Sequence, residues 1–400
     1  MIYQAILTAS IFLILAFGIE RLGRVSGIPS VVILIAVGLA GKPVLALLGL
    51  ALEGIDEAVP VIGTVGLVLI VLEGALDIEL RRDRLRAAAG AFLMAGSGFA
   101  LCAGLFAYAA VLALPVTPFQ AVLLAVPFAV ISSAVAIPSS SFLPPRGREF
   151  VVFESSASDI LGVLTFFSLL NSDGTVSGVV FGLVGDGILS LLLAIMGAVG
   201  LALILMRIDG RIRFIPLLAC LFGLYAAGKL MHLSPLIMVL LFGLALNNPT
   251  LITRFRPFRG WPGDSYEATL KEFKLLTMEF TFAVRGFFFI LLGYWTDLSD
   301  LATGNAWLAA AMVLGFVYGS RRIMLRLIRS EFAVPLTWIA PRGLITVLLF
   351  LAAKEQLPLP HYLDGTVMLV VLASATLIAV GRFRWASAHP APTGENPEST

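Results

Sequence analysis

Long apolar segments recur along the whole chain and are separated by short polar ones. A helix needs about 20 apolar residues to cross the hydrocarbon core of a bilayer, where its backbone must satisfy its own hydrogen bonds. With 59% hydrophobic residues, 13% charged residues and a mean hydropathy of +0.99, the chain is excluded from the soluble globular class. The segments predict thirteen transmembrane helices, with twelve or fourteen as alternatives, at 4–20, 29–49, 59–78, 87–114, 119–143, 150–170, 187–206, 214–231, 235–247, 275–296, 305–320, 334–353 and 366–381.

The basic residues indicate how these helices are oriented, because Lys and Arg concentrate in cytoplasmic loops. With thirteen helices and an outer N-terminus, all but five of the 27 Lys and Arg fall on the inner side. The exceptions are Lys42, Lys229 and Lys354 in outer segments, and Arg285 and Arg342 within spans. We therefore predict an integral protein of the bacterial inner membrane, with its N-terminus outside and its C-terminus cytoplasmic.

The domain organisation is predicted to be simple. Residues 1–385 form a single transmembrane domain, and residues 386–400, which are rich in Pro, Ser and Thr, predict a short disordered cytoplasmic tail. Neither the two cysteines nor the three histidines form a cluster that indicates a bound metal or cofactor, so we expect no cofactor. Membrane lipid is the expected surrounding, and nucleic acid is not an expected partner.

Two of the predicted helices carry residues that interrupt a helix. The span 119–143 contains a serine-rich run that ends in Pro138, and proline removes an internal hydrogen bond. The span 334–353 contains the sequence Pro-Arg-Gly at 341–343. These spans are seven helices apart, so they cross the membrane in opposite directions. Such a pair is typical of inverted-repeat transporters with a site at the midplane, and it predicts an all-α polytopic membrane protein with two crossed broken helices.

Glu154 and Asp159 lie within the apolar span 150–170. A charge at the centre of a bilayer costs about 2.5–3.5 kcal/mol on insertion scales, so the default interpretation of both acids is functional. On a helix the two positions are separated by roughly 140° of rotation, which implies two different partners.

Asp159 is the candidate ion-binding residue. Ser155 lies one turn away on the same helix face, Ser158 is the adjacent candidate ligand, and the hydroxyls of Ser132 and Ser133 would add to the shell. Such oxygens are the hard ligands that a monovalent cation (Na⁺, Li⁺ or K⁺) requires. Desolvation favours the neutral form of a carboxylate, so a proton would compete with the cation for Asp159, and alternate occupancy would be antiport. The alternative is that Asp159 only pairs with an arginine.

Glu154 is the candidate for a structural ion pair, because an unpaired charge at that depth would be destabilising. Glu73, in the span 59–78, is the other acid well inside a span, and the residues leave open whether it is an ion ligand or an interfacial residue. The cations near membrane depth are Arg285, Arg342, Arg321 and Arg322.

The motif Glu154-Ser155-x-x-Ser158-Asp159 resembles the Glu-Ser-x-x-Asn-Asp signature of the sodium/proton exchanger branch of the monovalent cation:proton antiporter superfamily. Three further stretches are similar to segments of that family and occur in its order. They are Leu-Glu-Gly-Ala-Leu-Asp at 72–77, the Phe-rich run at 287–293 that ends in Gly, and Ala-Pro-Arg-Gly-Leu at 340–344.

The resemblance implies a secondary active antiporter of the cell membrane that exchanges Na⁺ or Li⁺, or else K⁺, for H⁺ by alternating access. It also implies a homodimer in which each chain has a scaffold and a moving core. Asp159 would carry the cation and the proton, Ser155 and Glu73 would assist, and Glu154 would make a stabilising ion pair.

The sequence departs from the family pattern at three places. The first broken helix has Ser132 and Ser133 where the family usually has Thr-Asp-Pro, which is closer to the potassium-efflux branch. Ser158 replaces the Asn beside the key Asp, so a single titrating carboxylate remains, which in the family goes with one-for-one exchange. The arginine expected near 321 falls in a basic run, where solvated anchoring is the expected role. Arg285 or Arg342 is therefore expected to pair with Glu154.

Other function classes fit less well. An intramembrane serine protease needs a membrane histidine, and an aspartyl protease of that kind needs a Tyr-Asp motif, which the sequence lacks. We therefore expect no enzymatic activity. A passive channel would not need a titrating acid at a double helix break. The remaining alternative is a cation-coupled symporter of a small organic solute with a related inverted-repeat architecture.

Overall fold

The computed structural model describes residues 2–47, 55–77, 85–170, 214–231, 235–249, 266–328 and 333–388, with isolated positions between 172 and 200. Within these residues all regular secondary structure is helical. The helices are α1 (Ile2–Ser26), α2 (Ser30–Leu47), α3 (Ile55–Asp77), α4 (Leu85–Ala113), α5 (Pro118–Ala129), α6 (Ser133–Ser139), α7 (Pro145–Leu170), α8 (Phe214–Leu230), α9 (Pro235–Asn247), α10 (Tyr266–Trp295), α11 (Leu298–Leu301), α12 (Gly304–Leu327), α13 (Ala333–Trp338), α14 (Leu344–Gln356) and α15 (Tyr362–Ala388).

The predicted all-α membrane fold is confirmed. Twelve of the thirteen predicted spans correspond to helices in the described ranges. The span 187–206 lies mostly outside the described residues, so the count of thirteen stays a prediction. Six of the described segments are long and apolar enough to cross a membrane, namely Ala89–Ala113, Pro118–Ser139, Pro145–Leu170, Tyr266–Trp295, Gly304–Leu327 and Tyr362–Ala386.

The last helix runs slightly beyond the predicted end of the transmembrane domain. α15 continues to Ala388, three residues past the predicted boundary at 385. Near this end the Arg384 guanidinium lies 5.3 Å from the centre of the Trp338 ring, a cation–π contact that holds the last turns against α13. The rest of the predicted tail, 389–400, lies outside the described residues.

The helices pack in two groups. In one group α4 packs against α5, α7 and α12, α14 packs against α5, and α15 packs against α12 and α13. In the other group α10 packs along α2 and α3, and α9 packs against α3 and α8. Contacts of α3 with α7 and α14, and of α2 with α15, join the two groups. The two broken helices, α5–α6 and α13–α14, therefore belong to the same group.

Both predicted helix interruptions are confirmed, and the first one lies at the start of the serine-rich run rather than at its Pro138. Residues 130–132 are extended between α5 and α6, whereas Pro138 lies inside α6. The backbone can leave the helix here because its freed N–H groups find acceptors elsewhere in the fold, one on α7 and one in the second break. The N–H of Ile131 donates to Ser158 Oγ at 2.9 Å, and the N–H of Ser132 donates to the Pro341 carbonyl at 2.9 Å.

The hydrogen bond between Ser132 and Pro341 joins the two breaks directly, and Gly343 lets them come this close. A Cβ atom added at Gly343 would lie 2.7 Å from Ser132 Oγ and 3.1 Å from Val135 Cγ2. Real Cβ atoms essentially never make a contact of 2.7 Å, and one of 3.1 Å is unusually tight, so a larger residue would force Ser132 or the broken helices to shift.

We expect Gly343→Ala to destabilise the protein by about 1–3 kcal/mol, the usual cost of overpacking a buried site. A lower melting temperature of the detergent-solubilised protein would reveal this loss. Gly315→Ala in α12 is the matched control, because a Cβ atom there meets nothing within 4 Å. Equal melting temperatures for the two variants would contradict the close crossing.

Candidate functional site

Asp159 lies where α7 passes the break between α5 and α6. Its side chain is only 3% exposed. One carboxylate oxygen, Oδ2, accepts a hydrogen bond of 3.3 Å from the N–H of Ser133, the first residue of α6. The other, Oδ1, is buried and has no hydrogen-bond partner among the described residues. A buried acceptor left unsatisfied is costly, so Oδ1 marks a place for a proton or a cation.

Four hydroxyl oxygens are also buried without a hydrogen-bond partner in the described part of the chain. They belong to Ser132, Ser156, Thr281 and Thr346. Of these four residues, only Ser132 is predicted from the sequence as an ion ligand. Thr346 could have been found by its position, because it follows the break at 341–343 by one turn of α14. Thr281 carries no comparable signal, since it is one of several threonines in α10.

Ser155 and Ser158, the two predicted ligands that precede Asp159 on α7, have different contacts. Ser158 is buried and accepts the hydrogen bond from Ile131, so its hydroxyl stabilises the extended segment at the break. The Ser155 hydroxyl donates to the carbonyl of Val151 at 2.7 Å, one turn earlier in α7. This bond uses the Ser155 proton and leaves the oxygen able to bind a cation.

Glu73 is half-buried on α3. Its neighbour Gly74 faces α7, where an added Cβ atom would lie 3.3 Å from the unpartnered Ser156 Oγ. Glu73 is thus one residue away from a close approach between α3 and the helix that carries Asp159. Its predicted role as an ion ligand stays a prediction.

Glu154 forms a buried ion pair with Arg321. The two guanidinium nitrogens Nη1 and Nη2 donate to Oε1 and Oε2 at 2.6 and 2.8 Å, and both residues are at most 3% exposed. Arg321 Nε donates to the carbonyl of Leu336 in α13 at 2.5 Å. The pair therefore links α7, α12 and α13, and its bidentate geometry gives the strongest form of such a bond.

The prediction that Arg342 or Arg285 pairs with Glu154 is wrong. α12 extends to Leu327, so Arg321 lies inside the helix and faces α7, while its neighbour Arg322 is exposed. The interpretation of Arg321 as a solvated anchor is also wrong, because adjacent arginines of a basic run lie on different faces of the helix and can have different environments. The expectation that Glu154 and Asp159 have different partners is confirmed.

Arg342 neutralises the end of a half-helix. Its guanidinium donates to the carbonyls of Phe128 at 2.8 Å and Ala129 at 3.4 Å, the last residues of α5, and to that of Ala340 at 2.9 Å. The final carbonyls of a helix lack backbone partners and carry a partial negative charge, which a buried cation offsets. The Arg342 N–H donates to Ser374 Oγ at 2.9 Å, which ties the break to α15.

Two cavities lie on either side of the crossing, which is the place where the break at 130–132 meets the break at 339–343. One of about 300 Å³ is bounded by α1, α2, α6, α10 and α15 and reaches Val135, which packs on Gly343. The other, of about 240 Å³, is bounded by α10, α14 and α15 and reaches Val347, one turn after Gly343. Along α15 the linings include Ile378 and Met368, which are roughly 15 Å apart along the axis of a helix.

The donor set suits a small monovalent cation carried as cargo. Within the described residues no group of three or more His, Cys, Asp or Glu side chains could hold a metal ion. The crossing instead offers one free carboxylate oxygen and neutral hydroxyls, with arginine charges held nearby. Hard oxygen ligands around a single negative charge match an alkali cation better than a resident divalent metal.

Comparison with known proteins agrees with this arrangement. The model of the family described as "Sodium/hydrogen exchanger, transmembrane" matches residues 6–386. The structure of the sodium proton antiporter MjNhaP1 from Methanocaldococcus jannaschii at pH 8 is similar with a TM-score of 0.73 and 20% identity, over 97% of this chain and 98% of that one. A three-dimensional electron-microscopy map of the same antiporter gives a TM-score of 0.70 and 20% identity, over 97% of each chain.

No curated protein sequence matches the chain. At 20% identity the structural likeness establishes the fold alone, which is the antiporter fold with two crossed broken helices. The family match, in contrast, extends over nearly the whole chain and includes both breaks and the acids of α7. The chain belongs to the sodium/hydrogen exchanger family.

Proposed function

We propose that this protein exchanges a monovalent cation for H⁺ and that Asp159 carries the two ions alternately. The observation that supports this most is the environment of Asp159. Its carboxylate is buried at the crossing and held through Oδ2 by Ser133, and Oδ1 has no hydrogen-bond partner in the part of the chain that the structure describes. A carboxylate without a fixed counter-ion is neutralised either by a proton or by a cation, so binding of one displaces the other.

The cation would be bound by Asp159 Oδ1 together with hydroxyl oxygens of the crossing. Ser132 is a candidate because it adjoins Ser133, whose N–H holds Asp159, and Ser155 is a candidate because it lies one turn before Asp159 on α7. Glu73 of α3 is a further candidate. A bound proton or monovalent cation makes the Asp159 side chain neutral. An empty carboxylate would keep its charge, which is unfavourable away from water. The loaded forms are thus favoured over the empty one, which is what obligatory exchange requires.

The two cavities support alternating access. The larger one approaches the crossing beside α6, and the other approaches it beside α14. The larger cavity is lined by three segments predicted on the inner side, namely the α1–α2 connection, the end of α6 and Arg382. The smaller one is lined by Lys354 and His361, in a segment predicted outside. This grouping agrees with the proposed topology, in which the two sets of segments lie on opposite sides of the membrane; the outer N-terminus and cytoplasmic C-terminus are proposed from the distribution of Lys and Arg.

Location in the bacterial inner membrane and assembly as a homodimer belong to the same proposal. Apolar side chains remain exposed along α1 and α12, among them Ile14 and Phe17, as expected for helices that face lipid or a second copy. The symporter alternative receives no support from the family match.

Purified protein in vesicles with an imposed proton gradient provides the test. We expect Na⁺, Li⁺ or K⁺ to dissipate the gradient, as seen by recovery of a quenched pH-sensitive dye, with the preferred ion identified by comparison with Rb⁺. Protein-free vesicles are the control. A gradient that no cation dissipates unless an organic solute is added would favour the symporter instead.

A further inference from the structure

The larger cavity carries more positive than negative charge, although it would lead a cation to Asp159. Its charged lining residues are Glu20, Arg285 and Arg382. Two guanidinium groups and one carboxylate make an inner vestibule that repels cations on balance. Such a lining does not increase the affinity for a cation. The arginine of this cavity that lies nearest to Asp159 therefore requires its own explanation.

Arg285 is the cavity cation that lies nearest to the ion site. It is half-buried in the middle of α10, and its Nη1 donates to the carbonyl of Ala134 at 3.3 Å. The preceding residue, Ser133, donates its N–H to Asp159 Oδ2 at 3.3 Å. Two hydrogen bonds and about one residue of backbone therefore separate the guanidinium from the carboxylate, a distance of roughly 10 Å.

We propose that Arg285 sets the apparent cation affinity of the exchanger by repelling the ion that occupies Asp159. The inference rests on the proposed function of Asp159 and adds a residue that determines affinity. Two unit charges 10 Å apart change a binding constant by about 2-fold in a water-like medium and by about 20-fold at the effective dielectric constant of a protein. The charge would thereby set the cation concentration at which the site is half occupied from the side on which this cavity opens.

Arg382 provides the matched control, because it has the same charge and lines the same cavity. It is exposed on α15, and its guanidinium packs beside Gly27 in the α1–α2 connection, whereas the half-buried Arg285 is hydrogen-bonded to α6. Water and salt screen a charge in that position. Its removal should therefore change the apparent affinity less than removal of Arg285.

The experiment uses everted vesicles, in which the cytoplasmic face is turned outward, and measures the half-saturating Na⁺ concentration and the maximal rate. The pH is chosen so that proton competition is small. We expect Arg285→Gln to lower the half-saturating concentration by up to about 20-fold and by clearly more than Arg382→Gln does, and Arg285→Lys to stay close to the wild-type value. Equal shifts in Arg285→Gln and Arg382→Gln would overturn the proposal. A fall in maximal rate with no change in half-saturation in Arg285→Gln would overturn the proposal, because it would indicate a structural role.

A second pair of variants keeps the proposal testable if Arg285→Gln does not fold. Ser139, a half-buried residue of α6, lines the same cavity. We expect Ser139→Asp to lower the half-saturating Na⁺ concentration and Ser139→Lys to raise it, and equal values would overturn the proposal. A failure of the proposed function would be recognised separately. In that case the wild-type protein would show no cation/proton exchange, or the Asp159→Asn variant would still exchange ions.

Discussion

The Asp159→Asn variant is expected to lose cation/proton exchange completely, with activity at the level of protein-free vesicles. Asparagine keeps an oxygen that can accept the hydrogen bond from Ser133, so the crossing should keep its geometry. It has no negative charge with which to bind a cation and no proton to release near neutral pH. Dye recovery after addition of Na⁺, Li⁺ or K⁺, measured from acid to alkaline pH, is the direct test.

Two controls separate loss of the ion site from loss of structure. Expression, oligomeric state and melting temperature of Asp159→Asn should match those of the wild-type protein. Asp159→Glu keeps the charge on a longer side chain, so we expect it to retain a measurable part of the exchange. Exchange that persists in Asp159→Asn and still depends on pH would show that another residue carries the ions.

The second large effect is expected at the ion pair between Glu154 and Arg321, where Glu154→Gln should cost stability more than transport. Both side chains are buried and their bond is bidentate. Removal of one partner leaves the other charge buried and uncompensated, which typically costs about 3–5 kcal/mol. Because the pair links α7, α12 and α13 and leaves Asp159 untouched, the folded fraction of the variant should still exchange ions.

Melting temperature and exchange rate per folded molecule, measured side by side, test this expectation. Arg321→Gln should be destabilised similarly, while Arg322→Gln should stay close to the wild-type protein because Arg322 is exposed. The double variant Glu154→Gln/Arg321→Gln should lose less than the sum of the two single losses, since it leaves no unpaired charge. A Glu154→Gln protein with normal stability and no exchange would contradict the structural role.

The ion-site helix and both helix breaks could be predicted because their signals are local. A carboxylate in an apolar segment, or Pro and Gly within one, is conspicuous in sequence and has few physical explanations. The rotation between Glu154 and Asp159 likewise follows from helix geometry, and it correctly implied separate partners.

The errors concern contacts made at long range. Arg321 and Arg322 are adjacent and chemically identical, yet one is buried against Glu154 and the other is exposed. Only the packing of α12 against its neighbours distinguishes them. The first break moved away from Pro138 for a similar reason, because Ser158 and Pro341 accept hydrogen bonds from the residues of the extended segment.

The guanidinium of Arg342 has an electrical consequence. It is held by carbonyls at the end of α5, and because an arginine side chain keeps its proton, its charge is the same whichever ion Asp159 carries. Asp159 gains one positive charge whether it takes up H⁺ or a monovalent cation, so the two loaded forms carry equal charge. A membrane potential acts on a difference in charge, by about 2.3 kcal/mol per charge and 100 mV, and here that difference is zero. One-for-one exchange at this site would therefore be driven by the two concentration gradients and not by the membrane voltage.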